Sequence, residues 1–128
     1  MKTKLIIVII MAVTISTGVN GQQVIPVSST EAIKMIETDK KLVVLDVRTP
    51  GEFNQGHIKG AVNIDVSRPD AGEQYKKLDP NIKYMVICRT KNRSGVVTGF
   101  LVQNGFKTVY QVTDGIVGWT ANGLPLVK

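Results

Sequence analysis

Two short, continuous apolar segments constrain the fold of this chain more than any other feature of its sequence. Residues 42–45 read Leu-Val-Val-Leu and residues 84–87 read Tyr-Met-Val-Ile, so neither segment alternates between apolar and polar side chains. Short apolar runs of this kind indicate strands that are covered on both faces, as the strands of parallel sheets are. Both runs are flanked by helical patterns, and we therefore expect parallel strands.

Helical patterns lie between the expected strands along the chain. Serine and threonine at 28–30 precede Glu31 and provide an N-cap for a helix that ends near Thr38. A second helical segment places apolar residues three and four positions apart between Val96 and Leu101. Further short strands are expected at residues 24–27, 61–64 and 108–112, and further helices after Pro50, at 71–78 and through 115–119. This alternation predicts an α/β fold with a central, mainly parallel sheet of about five strands and helices on both faces.

The first 21 residues are expected to form a secretory signal peptide. Lys2 and Lys4 lie in a short positive head, residues 5–13 are an unbroken apolar run, and small and polar residues follow. A membrane span needs about 20 apolar residues, roughly twice the length of this run. We expect cleavage after Gly18 or Gly21, a folded domain over residues 22–128, and a periplasmic or secreted location. Retention of the leader as an anchor is the alternative.

The charge of the chain does not favour a nucleic-acid partner. Loss of the leader lowers the formal net charge from +6 to +4, because Lys2 and Lys4 leave without an acidic residue. The remaining basic residues are scattered, apart from one loop, and aromatic side chains do not interleave with them. We expect a monomer that has no contact with a membrane once the leader is removed.

The one concentrated positive region surrounds the single cysteine. Cys88 directly follows the second apolar run, and Arg89, Lys91 and Arg93 lie within five residues of it. A turn from strand to helix exposes the cysteine to free N–H groups and to the positive end of the helix dipole. Nearby cations also favour a thiolate. A lone cysteine is often only a small buried hydrophobe, but these charges favour a reactive thiol and a small anionic substrate.

An ordered set of short motifs resembles the rhodanese family. The set covers residues 24–127 and consists of Leu45-Asp46-Val47-Arg48-Thr49-Pro50, Glu52-Phe53, Gly56-His57-Ile58, Gly60-Ala61-Val62-Asn63-Ile64, Cys88 with Arg93-Ser94, and Gly115 with Trp119. The resemblance implies a single-domain sulfurtransferase of the thiosulfate:cyanide type. In such an enzyme Cys88 is catalytic: it carries sulfur as a persulfide and passes it to cyanide or to a thiol acceptor.

The resemblance also implies which residues bind the substrate. The backbone that follows the cysteine wraps the sulfur, so the substrate-binding residues are Arg89, Thr90, Lys91, Asn92 and Arg93. Thiosulfate is an example of the small anionic sulfur donor expected there. We expect no cofactor, and the sequence has no cluster of His, Cys and carboxylate residues that suggests a metal.

Two other functions use a similar cysteine. A sulfur carrier or redox-sensing module without turnover would need only Cys88, and the sequence leaves this alternative open. A cysteine phosphatase has five residues between its cysteine and its arginine, whereas four residues separate Cys88 from Arg93. The loop is therefore one residue too short to hold a phosphate comfortably.

Lys91 departs from the family pattern, because many relatives carry glycine three residues after the cysteine. Lysine tolerates a positive φ only at a cost, so we expect either a differently shaped loop or a strained one. We expect the Lys91 charge to attract a dianion, and Arg93 to hold loop carbonyls or donor oxygens.

Four other residues are expected to be structural. Asp46 and Arg48 should form a local ion pair at the same edge of the sheet as the cysteine. His57, the single histidine, should cap backbone or pair with a carboxylate, and Trp119 should lie in the core.

Overall fold

Five parallel strands form the centre of the molecule, in a computed structural model that describes residues 23–128. The expected leader therefore lies outside the described residues. The strands are β1 (Val24–Val27), β2 (Val43–Asp46), β3 (Val62–Asn63), β4 (Tyr84–Ile87) and β5 (Val109–Val112). They lie in the spatial order β1-β5-β4-β2-β3 with every neighbouring pair parallel. The predicted parallel sheet of about five strands is confirmed.

The two apolar runs form adjacent strands at the middle of this sheet. All four residues of β4 are buried, which explains why its sequence does not alternate. The register of β2 against β4 places Asp46 beside Ile87. The residues that follow these two strands consequently leave the sheet at the same edge, where ligands bind in open parallel sheets.

Helices cover both faces of the sheet, as the alternation predicts. They are α1 (Ser29–Thr38), α2 (Pro50–Gln55), α3 (Ala71–Lys76), α4 (Asn92–Gln103) and α5 (Gly115–Ala121). The predicted cap of α1 is present, since the Ser28 side chain accepts a hydrogen bond from the Glu31 N–H at 3.2 Å. Within the described residues, no helix has both the length and the apolar character that a membrane crossing requires.

The pleat of the strands divides the core into two clusters. In β4, Tyr84 and Val86 face one cluster and Met85 and Ile87 face the other, because successive strand side chains point to opposite faces. The first cluster contains residues of α3 and α4, including Tyr75 and Leu101. The second contains residues of α1 and α5, including Ala32 and Trp119. Cys88 belongs to the first cluster.

Several element boundaries differ from the expected ones, and two of them are informative. The pattern of residues 61–64 indicates four strand residues, but only Val62 and Asn63 pair with β2. Apolar spacing places residues 89–94 in a loop, whereas α4 begins at Asn92. The first turn of α4 carries polar side chains, so hydrophobic periodicity gives no sign of it.

Candidate functional site

Cys88 lies where the central strand β4 passes into α4. The residue is 1 % exposed, and its Sγ atom accepts a hydrogen bond from the Ser94 N–H at 3.3 Å. Ser94 is the third residue of α4, and the first N–H groups of a helix have no helical partner. The sulfur therefore receives a donor that the helix leaves free, as the strand-to-helix placement predicts.

The loop backbone is held on its other side by the first turn of α5. The Ile116 N–H donates to the Cys88 carbonyl at 2.9 Å, and the Val117 N–H donates to the Arg89 carbonyl at 3.1 Å. Gly115 permits this approach, because its φ is +59° and a Cβ there would overlap the carbonyl oxygens of Arg89 and Thr90. Two helix ends thus meet at the loop: one donates to the sulfur and the other binds the carbonyls.

Lys91 fits this loop without left-handed backbone. Its φ is −137° and it occupies the N-cap of α4. Every positive φ among the described residues belongs to a glycine. The strain that a positive φ would impose on a lysine is therefore absent at Lys91. The Lys91 carbonyl accepts hydrogen bonds from the Gly95 N–H at 2.9 Å, the Ser94 hydroxyl at 3.1 Å and the Gln111 amide at 3.0 Å.

Arg93 makes a different contact from the expected one with loop carbonyls. Its guanidinium donates to both carboxylate oxygens of Glu52, at 2.6 and 2.9 Å. The Arg93 hydrogen bond is the main reason that the pKa of Glu52 falls from 4.5 to about 2, although burial opposes the shift. Glu52 also completes a capping box with Thr49 at the start of α2. The pair therefore ties α2 to the first turn of α4.

The other two cations of the loop remain unpaired. Arg89 and Lys91 are exposed, and neither forms an ion pair with a carboxylate of residues 23–128. Thr90 and Asn92 are exposed as well. Arg89 borders an open cleft of about 490 Å³ whose wall includes Ile116 and Val117 of α5. The loop thus combines a buried sulfur with exposed positive charge.

A family model described as a rhodanese-like domain matches residues 28–122. The chain belongs to the rhodanese family. Over 98 residues, this rhodanese is 39 % identical to YtwF of Bacillus subtilis (strain 168), named as a sulfurtransferase; the match covers 76 % of the chain and 92 % of the relative. It is 35 % identical to thiosulfate sulfurtransferase 16, chloroplastic, of Arabidopsis thaliana, with 63 % of the chain and 76 % of the relative covered. It is 33 % identical to YrkF of Bacillus subtilis (strain 168), named as a sulfur carrier protein. That match covers 75 % of this chain and 51 % of the relative.

A solved structure confirms the fold. The rhodanese-related protein of Thermoplasma volcanium superposes with a TM-score of 0.71 and is 36 % identical in sequence. The comparison covers 80 % of this chain and 97 % of that one. The expected single rhodanese-like domain is confirmed, and its family includes proteins named for sulfur transfer and for sulfur carriage.

The Asp46–Arg48 pair of this rhodanese is structural, as expected. Both residues are buried, and the Arg48 Nη2 donates at 2.7 Å to the Asp46 Oδ2 and to the Gly56 carbonyl. The Asn63 side chain donates to the carbonyls of Asp46 and Arg48, at 3.0 and 2.8 Å. The turn after β2 is thereby held by the Asp46–Arg48 pair and by Asn63 of β3.

His57 and Trp119 also have the expected structural roles. The His57 Nδ1 lies 2.9 Å from the Phe53 carbonyl, and its ring stacks on the Phe53 ring with centroids 3.7 Å apart. Trp119 is fully buried, and its Nε1–H donates to the Pro125 carbonyl at 3.0 Å.

Sequence reasoning assigned no role to Glu52 or Gln111, although both contact the start of α4. Glu52 follows Thr49 by three residues, so the capping-box spacing was available as a signal. Gln111 carries no local signal, because its partners are 17 and 20 positions away in the chain.

Proposed function

We propose that this rhodanese is a thiosulfate:cyanide sulfurtransferase in which Cys88 carries the transferred sulfur. In the first step the Cys88 thiolate attacks the outer sulfur of thiosulfate. The sulfur–sulfur bond of the donor breaks, sulfite leaves with the electron pair, and Cys88 becomes a persulfide. In the second step cyanide attacks the outer persulfide sulfur, which departs as thiocyanate and restores the thiolate. A thiol acceptor would take the same sulfur as its own persulfide.

The observation that carries the proposal is the hydrogen bond from the Ser94 N–H to the Cys88 Sγ. A donor at the start of α4 favours negative charge on sulfur, in the thiolate and again in the persulfide. The charge develops where the donor is already oriented, as in an oxyanion hole. The relative named as a thiosulfate sulfurtransferase supports thiosulfate as the donor.

The remaining loop residues have separate roles in this proposal. Arg89 and Lys91 attract the dianionic donor, because both are exposed and unpaired within the described residues. Thr90 and Asn92 contribute their backbone to the wrapped loop. Arg93 supports the loop through Glu52, because its guanidinium is already engaged by that carboxylate.

The test is thiocyanate formation from thiosulfate and cyanide by the wild-type chain and by the variants Cys88→Ser and Cys88→Ala. Loss of a covalent nucleophile lowers turnover by several powers of ten, so we expect a fall of at least about 10⁴-fold in both variants. Mass spectrometry of the wild type after thiosulfate treatment should show one added sulfur on Cys88. Turnover by Cys88→Ser within tenfold of the wild type would overturn the proposal.

A sulfur carrier without turnover is the second candidate, supported by the relative named for sulfur carriage. The two functions differ after the first step. With excess thiosulfate and cyanide, an enzyme releases sulfite continuously, whereas a carrier releases one sulfite per chain and then stops. The sulfite time course therefore distinguishes the two functions in a single experiment.

We also propose that residues 1–21 direct export and that the mature chain begins near Val19 or Gln22. The positive head and short apolar run of the leader motivate this proposal. Mass spectrometry of the exported fraction measures the new N-terminus. Recovery of chains that retain Met1 from a soluble cytoplasmic pool would contradict it.

A further inference from the structure

Gln111 connects the sheet to the first turn of α4. It lies in β5, opposite Val86 of β4, and its side chain is half-buried. Its Nε2 donates to the Lys91 carbonyl at 3.0 Å and to the Ser94 Oγ at 3.1 Å. Its side-chain hydrogen bonds within the described residues do not include Cys88, yet both of its partners belong to the segment that follows the sulfur.

The Lys91 carbonyl is fixed by three donors at once. They are the Gly95 N–H, the Ser94 hydroxyl and the Gln111 amide, at 2.9, 3.1 and 3.0 Å. Because a trans peptide is planar, its C=O and its N–H point in opposite directions. Fixing the Lys91 oxygen therefore also fixes the direction of the Asn92 N–H at the open end of the helix.

Ser94 links this arrangement directly to the sulfur. Its hydroxyl accepts from Gln111 and donates to Lys91, while its backbone N–H donates to the Cys88 Sγ at 3.3 Å. Any shift of Ser94 changes the length and angle of the hydrogen bond to sulfur. Hydrogen bonds weaken steeply when their angle departs from linearity.

We propose that Gln111 is a positioning residue for the sulfur chemistry of Cys88, because its amide fixes Lys91 and Ser94 and so orients the Ser94 N–H towards the sulfur. This inference rests on the proposed sulfur transfer for its catalytic meaning. Gln111 does not line the cleft beside Arg89. Its loss should therefore lower the rate of the chemical step and leave donor affinity unchanged.

The experiment compares three variants of the full chain. Gln111→Met keeps the length of the side chain and removes the donor, whereas Gln111→Glu keeps the shape and sets a carboxylate against the Lys91 carbonyl. Gln103→Met is the matched control, since Gln103 is exposed in the last turn of α4. Single-turnover persulfide formation is followed over a range of thiosulfate concentrations. Alkylation of Cys88 by iodoacetamide is measured in parallel and needs no sulfur donor.

We expect the maximal rate of persulfide formation to fall about fivefold in Gln111→Met, the effect of one lost hydrogen bond, and further in Gln111→Glu. The half-saturating thiosulfate concentration should stay within about twofold of the wild type, since uniform binding is unchanged. The alkylation rate should fall in the same order. If Gln111→Met does not fold, Gln111→Glu tests the same donor.

Two results would overturn the inference: rates in both Gln111 variants equal to those of Gln103→Met, or a weaker affinity for thiosulfate with an unchanged maximal rate. A wild type that forms no persulfide from thiosulfate would refute the proposed function instead. In that case the iodoacetamide rates still decide whether Gln111 positions the donors around Cys88.

Discussion

The turns that follow β2 and β4 lie side by side at one edge of the sheet. Their charged side chains are paired and buried in the first turn and exposed in the second. After β2, Asp46 and Arg48 are both buried and form an ion pair, and the Gly56 carbonyl accepts a further hydrogen bond from Arg48. After β4, the sulfur of Cys88 is buried while Arg89 and Lys91 remain exposed and unpaired within the described residues. Two adjacent turns of one sheet edge thus differ in where their charges are neutralised.

This difference in burial and pairing indicates that the two turns have different roles. A buried ion pair with all its hydrogen bonds made costs desolvation, and loss of one partner leaves an uncompensated buried charge. Exposed cations contribute little to folding, but they stay available to an anionic ligand. We infer that the β2 turn maintains the fold of the sheet edge and that the β4 turn serves the sulfur donor.

The largest expected effect is on the β2 turn. Asp46→Ala leaves Arg48 buried without its carboxylate, and we expect a loss of about 3–5 kcal/mol in the free energy of unfolding. Urea denaturation measures it. Asp39→Ala, which breaks the exposed pair with Lys83, is the matched control and should change stability far less. Equal losses in the two variants would remove the distinction between the two turns.

The second prediction concerns the packing of α5 against the β4 turn. Gly115→Ala combines a positive φ with an overlap on the carbonyls of Arg89 and Thr90. We expect it to cost about 2–4 kcal/mol in stability and to lower kcat for sulfur transfer, because the loop must move. Gly123→Ala has a φ of +66° but open space around it. The Gly123→Ala variant should lose only about 1 kcal/mol in stability and keep a normal kcat. A normal kcat in Gly115→Ala would contradict the prediction.

The third prediction tests the unpaired cations. Arg89→Ala should raise the KM for thiosulfate about tenfold with little change in kcat, the pattern expected when a charge contributes uniform binding. Lys91→Gly should act in the same direction and more weakly. Both effects should shrink with added salt, because exposed charges are screened over about 8–10 Å.

Two further variants test whether the effect on KM is specific to the exposed cations of the loop. Lys107→Ala removes an exposed cation just before β5 and should leave KM unchanged. Arg93→Ala should lower kcat/KM more than Lys91→Gly does, and salt should not rescue it, because Arg93 supports the loop through Glu52. Indistinguishable Arg93 and Lys91 variants would show that this division between support and attraction is wrong.

The smallest expected effect is the pH dependence of the Glu52–Arg93 pair. The pKa of Glu52 is lowered from 4.5 to about 2, mainly by the Arg93 hydrogen bond. The stabilisation is therefore fully present above about pH 4.5 and is lost as the pH falls towards 2. Because the side chains are 30 % and 33 % exposed, solvent screening limits it to about 1 kcal/mol.

Unfolding of the wild type and of Glu52→Gln, measured from pH 7 to pH 2, tests this prediction. The difference in unfolding free energy should be constant near neutral pH and should shrink steadily between about pH 4.5 and pH 2. Glu37→Gln, at an exposed position in α1, is the control. If this difference in unfolding free energy increased as the pH falls, its pH dependence would have the opposite sign, and the assigned Glu52–Arg93 pair would be refuted.

Local patterns predicted the elements of this fold well. The runs at 42–45 and 84–87 lack alternation because β2 and β4 are covered on both faces, so each run identified a central strand. Local patterns failed where polar residues begin a helix. Asn92, Arg93 and Ser94 form the first turn of α4, and no apolar spacing marks that turn.

The candidate site was predictable only in its centre. Cys88 and its basic neighbours are contiguous in sequence, so one short window contains them. The supports come from elsewhere in the chain: Glu52 lies 41 positions from Arg93, and Gln111 lies 20 positions from Lys91. Such contacts depend on strand order and register, which residue spacing within a window does not encode.

Because Cys88 is buried, the two steps of the proposed reaction differ in the sulfur atom that the incoming reagent has to reach. Because Cys88 is only 1 % exposed, a sulfur donor has to be small enough to reach Sγ beneath the loop. A sulfur–sulfur bond is about 2.05 Å long, so the outer sulfur of the proposed persulfide lies that distance from Sγ. In the proposed reaction the acceptor therefore has to reach this outer sulfur, whereas the donor has to reach the buried Sγ itself.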